Sequence, residues 1–185
     1  MKVYRLLFVL FVLMLSLNAC DDEETPDARL ALTGTYDMED AEVRFTRTNP
    51  IMDTTVYLDF NSEIEFEIDD ELDSDELQVD LNDFIEKLLK EVLRIFNDQV
   101  LVEVDIDGDD TVAKGEDGKY SIEEFEFDMP FSIIGGSEST VVVKIDIDGE
   151  MDGDEHEIEF DIAAGAFTAN DSPIRLRGTA MGKRH

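Results

Sequence analysis

The chain has one cysteine, no tryptophan, two histidines and four prolines in 185 residues, and its 15 lysines and arginines face 47 aspartates and glutamates. Each scarcity removes a class of protein. One cysteine cannot form an intrachain disulfide, so the fold must stand on an apolar core. His156 and His185 are too few for a histidine-based zinc site. A Ser-His-Asp arrangement would have to use His156, and no nucleophile elbow accompanies it. No phosphate-cradling glycine loop is present. The formal net charge of −32 repels phosphate backbones, which argues against nucleic acid as a partner. Carboxylate pairs suited to glycoside hydrolysis are guaranteed by number alone among 47 acids and carry no information. The expectation is a protein that is not an enzyme and has no catalytic residues, cofactor or dedicated metal ligands.

Long apolar runs are also scarce. The one that exists, Leu6 to Leu17, is broken only by Ser16 and follows Lys2 and Arg5. It matches the ~7–15 residues of a signal-peptide core and falls short of the ~20 needed for a spanning helix. Leu17-Asn18-Ala19-Cys20 comes next. This segment resembles the lipobox of bacterial lipoproteins, in which a branched apolar residue and two smaller ones precede the cysteine read by a lipoprotein signal peptidase. The resemblance implies that residues 1–19 are a leader and that the Cys20 thiol becomes a thioether carrying diacylglycerol. Each buried methylene contributes about 0.8 kcal/mol, and two or more chains give a stable hold. The implied partner is therefore the membrane, through lipid on Cys20. The implied address is the cell envelope, at the outer membrane or cell surface.

Asp21-Asp22-Glu23-Glu24 admits opposite addresses. The tract resembles the acidic stretch that sends lipoproteins to the surface in one group of Gram-negative bacteria. In others, an aspartate after the cysteine resembles an inner-membrane retention signal. A plain solvated tether over residues 20–28 is the third reading. A single β-rich domain is expected over residues 29–185.

Without residues 1–19 the chain loses Lys2, Arg5 and no acid, leaving 13 bases against 47 acids, a formal charge of −34. That coat keeps a domain soluble, and it favours cations, basic partners or high salt. The acids alternate with apolar residues. Val56, Leu58 and Phe60 form one file, followed by Ile64, Phe66 and Ile68. Later files are Val102-Val104-Ile106, Phe125-Phe127-Met129, Val141-Val143-Ile145-Ile147 and Ile158-Phe160-Ile162. A period of two with one apolar and one acidic face predicts antiparallel strands with one wet side. Asn61-Ser62 reads as a turn between two of them, and Glu123-Glu124 as a bulge, because Tyr120 and Ile122 are out of phase with Phe125.

One segment departs from this period. Leu81, Phe84, Ile85, Leu88, Leu89, Val92, Leu93 and Phe96 recur at three and four, predicting an amphipathic helix at about 81–97. Asp80 or Asn82 caps its start and Asn97 ends it. Lys87, Lys90 and Arg94 on its polar face form the densest basic cluster in the sequence. The helix must cover the sheet or plug one end of a barrel.

Turn signals recur at 107–110, 115–118, 135–137, 149–154 and 170–173. About 8–10 strands with one helix predict a mainly β fold, either an antiparallel barrel or a two-sheet sandwich. The run from Asp109 to Ile122, and Leu32-Thr33-Gly34-Thr35-Tyr36, resemble hairpins and the opening strand of small lipocalin-like envelope lipoproteins. That resemblance implies a barrel of eight or more strands with an interior cavity.

Asp105, Asp107, Asp109 and Glu116 fall at positions 1, 3, 5 and 12 of a calcium-type loop, but position 6 is Asp110 rather than glycine. The flanking period of two favours an ordinary hairpin. Asp146-Ile147-Asp148-Gly149 repeats the DIDG of residues 105–108. Two such turns at one barrel end would gather carboxylates for weak calcium binding, a reading disfavoured against two unrelated acidic hairpins. His156, in phase with the apolar file, reads as a partly buried edge residue.

The expected function is a membrane-anchored, non-enzymatic binding or interaction module, with an apolar small ligand as one option. The alternative is a structural or accessory envelope factor that works through a protein partner. A dry interior of about 300 Å³ or more would favour the ligand, and a packed barrel the partner.

Overall fold

The computed structural model describes residues 27–49, 51–69, 71–96, 100–102, 111–116, 118–133, 138–167 and 172–185. A short 3-10 turn at Ala28–Ala31 leads in, and its Arg29 donates to the carbonyls of Asp73 and Glu76. The strands are β1 Gly34–Thr48, β2 Ile51–Glu67, β3 Glu76–Asp80, β4 Val100–Val102, β5 Val112–Glu116, β6 Lys119–Ile133, β7 Glu138–Asp152, β8 Glu155–Ala164 and β9 Ile174–Arg184. The helix α1 spans Asn82–Phe96, between β3 and β4.

All pairings are antiparallel, and the sheet closes on itself. Its ring runs β1-β2-β3-β5-β6-β7-β8-β9 and back to β1. The short β4 joins the ring on β6, opposite Phe131 to Ile133 and beyond the three residues that β5 pairs. Of the two architectures expected, the closed barrel is the one formed. Closure removes the exposed edges that an acidic, period-two sheet would otherwise present.

Alternation sets which side chains meet inside. Along β7 every second residue from Val141 to Met151 is buried, and along β8 the file runs from His156 to Ala164. β2 is continuous through Asn61-Ser62, where the sequence suggested a turn. The extra residue is absorbed as a register shift against Met38–Asp40 of β1, so Phe60, Ser62 and Ile64 all stay inside. The bulge expected at Glu123-Glu124 is present, with Glu124 at φ 54° and its N–H donating to Asp146 Oδ1 at 2.7 Å.

β3 pairs only Glu65 to Glu67 of the much longer β2. α1 packs against β2 and β4 and fills this gap. Asp80 Oδ1 accepts from the Asn82 N–H at 2.9 Å, and Asp83 Oδ2 accepts from the Glu63 N–H of β2 at 2.9 Å. The helix start thus satisfies its own backbone and part of the strand beside it. Phe84, Ile85, Leu88, Leu89 and Val92 are fully buried.

The second DIDG is not a turn. Asp146 to Gly149 lie within β7, and the chain reverses later, at Gly153 with φ 65°. Gly149 is required by close approach: a Cβ there would lie 2.1 Å from the Tyr120 ring. Gly149→Ala is expected to cost about 1–3 kcal/mol through overpacking of a buried ring. Urea denaturation at neutral pH checks this, and an unchanged midpoint would show that Tyr120 yields freely.

Candidate functional site

Among the described residues, apolar side chains enter the barrel interior from two directions. Near its middle, the Phe84 ring of α1 lies 6.0 Å from Phe60 on β2 and 6.0 Å from Phe160 on β8. Phe84 therefore contacts both β2 and β8, which β1 and β9 separate in the ring. Nearer the end where the chain enters at Gly34, Tyr36, Phe66, Tyr120 and His156 form an aromatic cluster. Tyr36 stands 4.7 Å from the His156 ring, and Phe66 4.8 Å from Tyr120. Edge-on packing of this kind adds about 0.5–1.5 kcal/mol per pair beyond area burial.

His156 is fully buried rather than a partly buried edge residue. β8 is flanked by β7 and β9 in a closed ring, so it has no open edge to occupy. His156 Nε2 and the Tyr120 hydroxyl are hydrogen-bonded at 2.8 Å, and Nδ1 has no hydrogen-bond partner among the described residues. Burial lowers the His156 pKa to about 4, keeping the ring neutral at physiological pH. Burial also raises the Tyr120 hydroxyl well above its usual value. A buried, neutral imidazole packed against the Tyr36, Phe66 and Tyr120 rings is part of the core.

The remaining candidates are dispersed. Cys20 and the acidic tract after it lie outside the described residues, as do residues 103–110 with the first DIDG. Asp146 bonds the β6 bulge, so its carboxylate serves the sheet. His185 extends β9, its N–H donating to the Thr35 carbonyl at 3.0 Å and its Nε2 lying 3.0 Å from Asp37. Asp37, Glu63 and His185 bring one donor atom each within 4.8 Å of one another. Glu63 and His185 are exposed, so an ion held there would keep most of its water.

The outer face shows an ordered separation of charge. Strands β8, β9, β1 and β2 lie side by side, and their outward residues form rows. One row is Ala163, Arg175, Thr46 and Asp53, and the next is Asp161, Arg177, Arg44 and Thr55. Further along come Glu159, Thr179, Glu42 and Tyr57, then Glu157, Met181, Asp40 and Asp59. The first two rows hold three arginines and two aspartates, and the other two hold five acids and no base. The acidic rows lie nearer the end where the chain enters, which also carries Lys183 and Arg184, and Arg44, Arg175 and Arg177 lie toward the far end.

Arg44 is bidentate to Asp53 at 2.9 and 2.8 Å. Asp161 accepts from both Arg175 and Arg177, at 2.6 and 2.7 Å from the respective Nε atoms. Burial works to raise the Asp161 carboxyl, but these two hydrogen bonds outweigh it and hold the group below its usual value. The sequence singled out Lys87, Lys90 and Arg94 instead. Those are paired along the helix with Asp83, Glu86 and Glu91. Arg44 and Arg177 are 133 residues apart, and only the β1–β9 pairing makes them neighbours.

Among the described residues, no helix is long and apolar enough to cross a membrane. Comparisons with protein-family models, with curated proteins and with solved structures found no match to this chain.

Proposed function

We propose that the protein is a lipid-anchored envelope protein that acts as a non-enzymatic binding module through the outside of its barrel. The observation that carries this is the burial of α1 against the inside of the barrel wall. Phe84 packs between Phe60 and Phe160, which supports a barrel that serves as a scaffold. The sealed His156 supports the non-enzymatic reading, because the imidazole is out of reach of a substrate. The anchor rests on the leader and on Cys20, the sole cysteine.

On this reading the tether leaves the barrel at its acid-rich end. The end that carries Arg44, Arg175 and Arg177 lies away from the point of attachment. Exposed Tyr57, at 77%, lies on the acidic face beside Glu42. An isolated large ring of this kind favours a protein partner as the second reading.

Mass spectrometry of the native protein from the membrane fraction tests the anchor. The expected species begins at Cys20 and carries acyl mass. Cys20→Ser is expected to leave residues 1–19 uncleaved and the protein without acyl groups. An unlipidated residue 20 in the native protein would remove the proposal.

A further inference from the structure

Asp37, Glu63 and His185 are distant in sequence and meet on three adjacent strands. Asp37 of β1 stands opposite Glu63 of β2 on one side and opposite Lys183 of β9 on the other. The His185 N–H donates to the Thr35 carbonyl at 3.0 Å, so the chain continues in register past Lys183 and brings the imidazole to Asp37. The two strand pairings therefore fix the group, whichever rotamers its members adopt.

Its dimensions suit a metal ion. His185 Nε2 lies 3.0 Å from Asp37 Oδ2, and one donor atom from each of the three side chains lies within 4.8 Å of the others. Neighbouring ligands about 2.1 Å from a first-row divalent ion stand roughly 3.0–3.4 Å apart. The Asp37–His185 pair already has that spacing, and the exposed Glu63 side chain closes the remainder by rotation. The cations nearby are engaged elsewhere. Lys183 Nζ lies 3.9 Å from Glu39, and Lys87 is paired with Asp83 at 2.8 Å. Arg184 donates to the Thr33 carbonyl and stands over the Tyr36 ring. Glu65, opposite Thr35, adds a further carboxylate beside the group.

Abundance of acids does not account for it. The chain has 47 of them, yet among the described residues this is the only group of three ligand-bearing side chains that converges so closely. The imidazole also distinguishes it from an acidic patch. Zinc, nickel and copper favour nitrogen, whereas calcium and magnesium take oxygen. We propose that His185 Nε2 and the Asp37 and Glu63 carboxylates bind a divalent transition-metal ion of the zinc class, with water completing its coordination. The ion takes the place of the proton between Asp37 and His185. The proposal rests on the reading of the barrel exterior as the binding surface, and it names the ligand class.

The test is calorimetric titration of the detergent-solubilised full-length native protein with Zn²⁺, in excess Ca²⁺ to occupy the acidic coat. A single saturable Zn²⁺ site per chain is expected. His185→Gln, Asp37→Asn and Glu63→Gln are each expected to weaken it by about tenfold or more. Nuclear magnetic resonance of the histidine rings gives a second readout that needs no variant. The His185 ring signals are expected to shift on addition of Zn²⁺, while those of the buried His156 stay in place.

No saturable site in Ca²⁺, a loss below tenfold in any of the three variants, or unmoved His185 signals would overturn the proposal. The first of these leaves the barrel exterior to a protein partner. The intact mass of the same preparation reports acylation of Cys20. Loss of the anchor reading and loss of the ion site are therefore separate results.

Discussion

Val92→Asp in α1 is expected to destabilise the protein by about 3–5 kcal/mol, because it places an unpaired carboxylate in the core. Val92 is fully buried, as are Leu88 and Leu89 one turn away. The lysine and arginine of this part of the helix, Lys90 and Arg94, point to solvent and are paired with Glu86 and Glu91. The new charge therefore finds no counter-ion. For a domain of this size the loss corresponds to a fall of about 6–20 °C in melting temperature. Lys90→Ala in the same turn removes only an exposed i,i+4 pair, so its melting curve should stay within a few tenths of a kcal/mol of the parent. Circular dichroism melts of the three proteins make the comparison. A Val92→Asp protein melting with its parent would mean that α1 can leave the barrel without loss, and the scaffold reading would go with it.

The same helix shows why part of the fold is legible in the sequence. Its apolar positions recur at three and four, and each strand repeats at two. Those periods state which side chains face inward before any partner is known. α1 at Asn82–Phe96, the Glu123-Glu124 bulge and the β6–β7–β8 files are all visible in this way. What periodicity omits is the identity of neighbours. Asn61-Ser62 has the composition of a turn, yet the strand continues because turning there would expose Ile64 and Phe66. Gly149 sits in a tetrapeptide that looks like a turn, yet it is glycine because the Tyr120 ring of the next strand occupies the place of a Cβ. The arginine-bearing end is hidden for the same reason. Arg44, Arg175 and Arg177 are each ordinary outward positions, and their grouping exists only through the β1–β9 and β8–β9 registers. His156 was legible as facing inward but not as sealed, since sealing depends on ring closure.

That sealed histidine leads to a large dependence of stability on pH. In the unfolded chain His156 titrates near its ordinary value of 6.5, and in the folded protein burial lowers its pKa to about 4. Between those values the unfolded state takes up a proton that the folded state refuses. The stabilisation is complete above about pH 6.5 and is lost as pH falls through 4. A difference of about 2.5 pKa units corresponds to about 3 kcal/mol. The acid coat works in the opposite direction, because protonating surface carboxylates relieves repulsion in a chain of net charge −32. A comparison with His156→Gln separates the two effects. Glutamine offers Tyr120 a hydrogen-bonding partner and does not titrate, while the surface is unchanged. The stability of the parent relative to His156→Gln, from urea denaturation at pH 7 and at pH 4, is expected to fall by about 3 kcal/mol on acidification. Parallel pH profiles for the two proteins would show that the imidazole reaches water in the folded state and that the barrel is open at its acidic end.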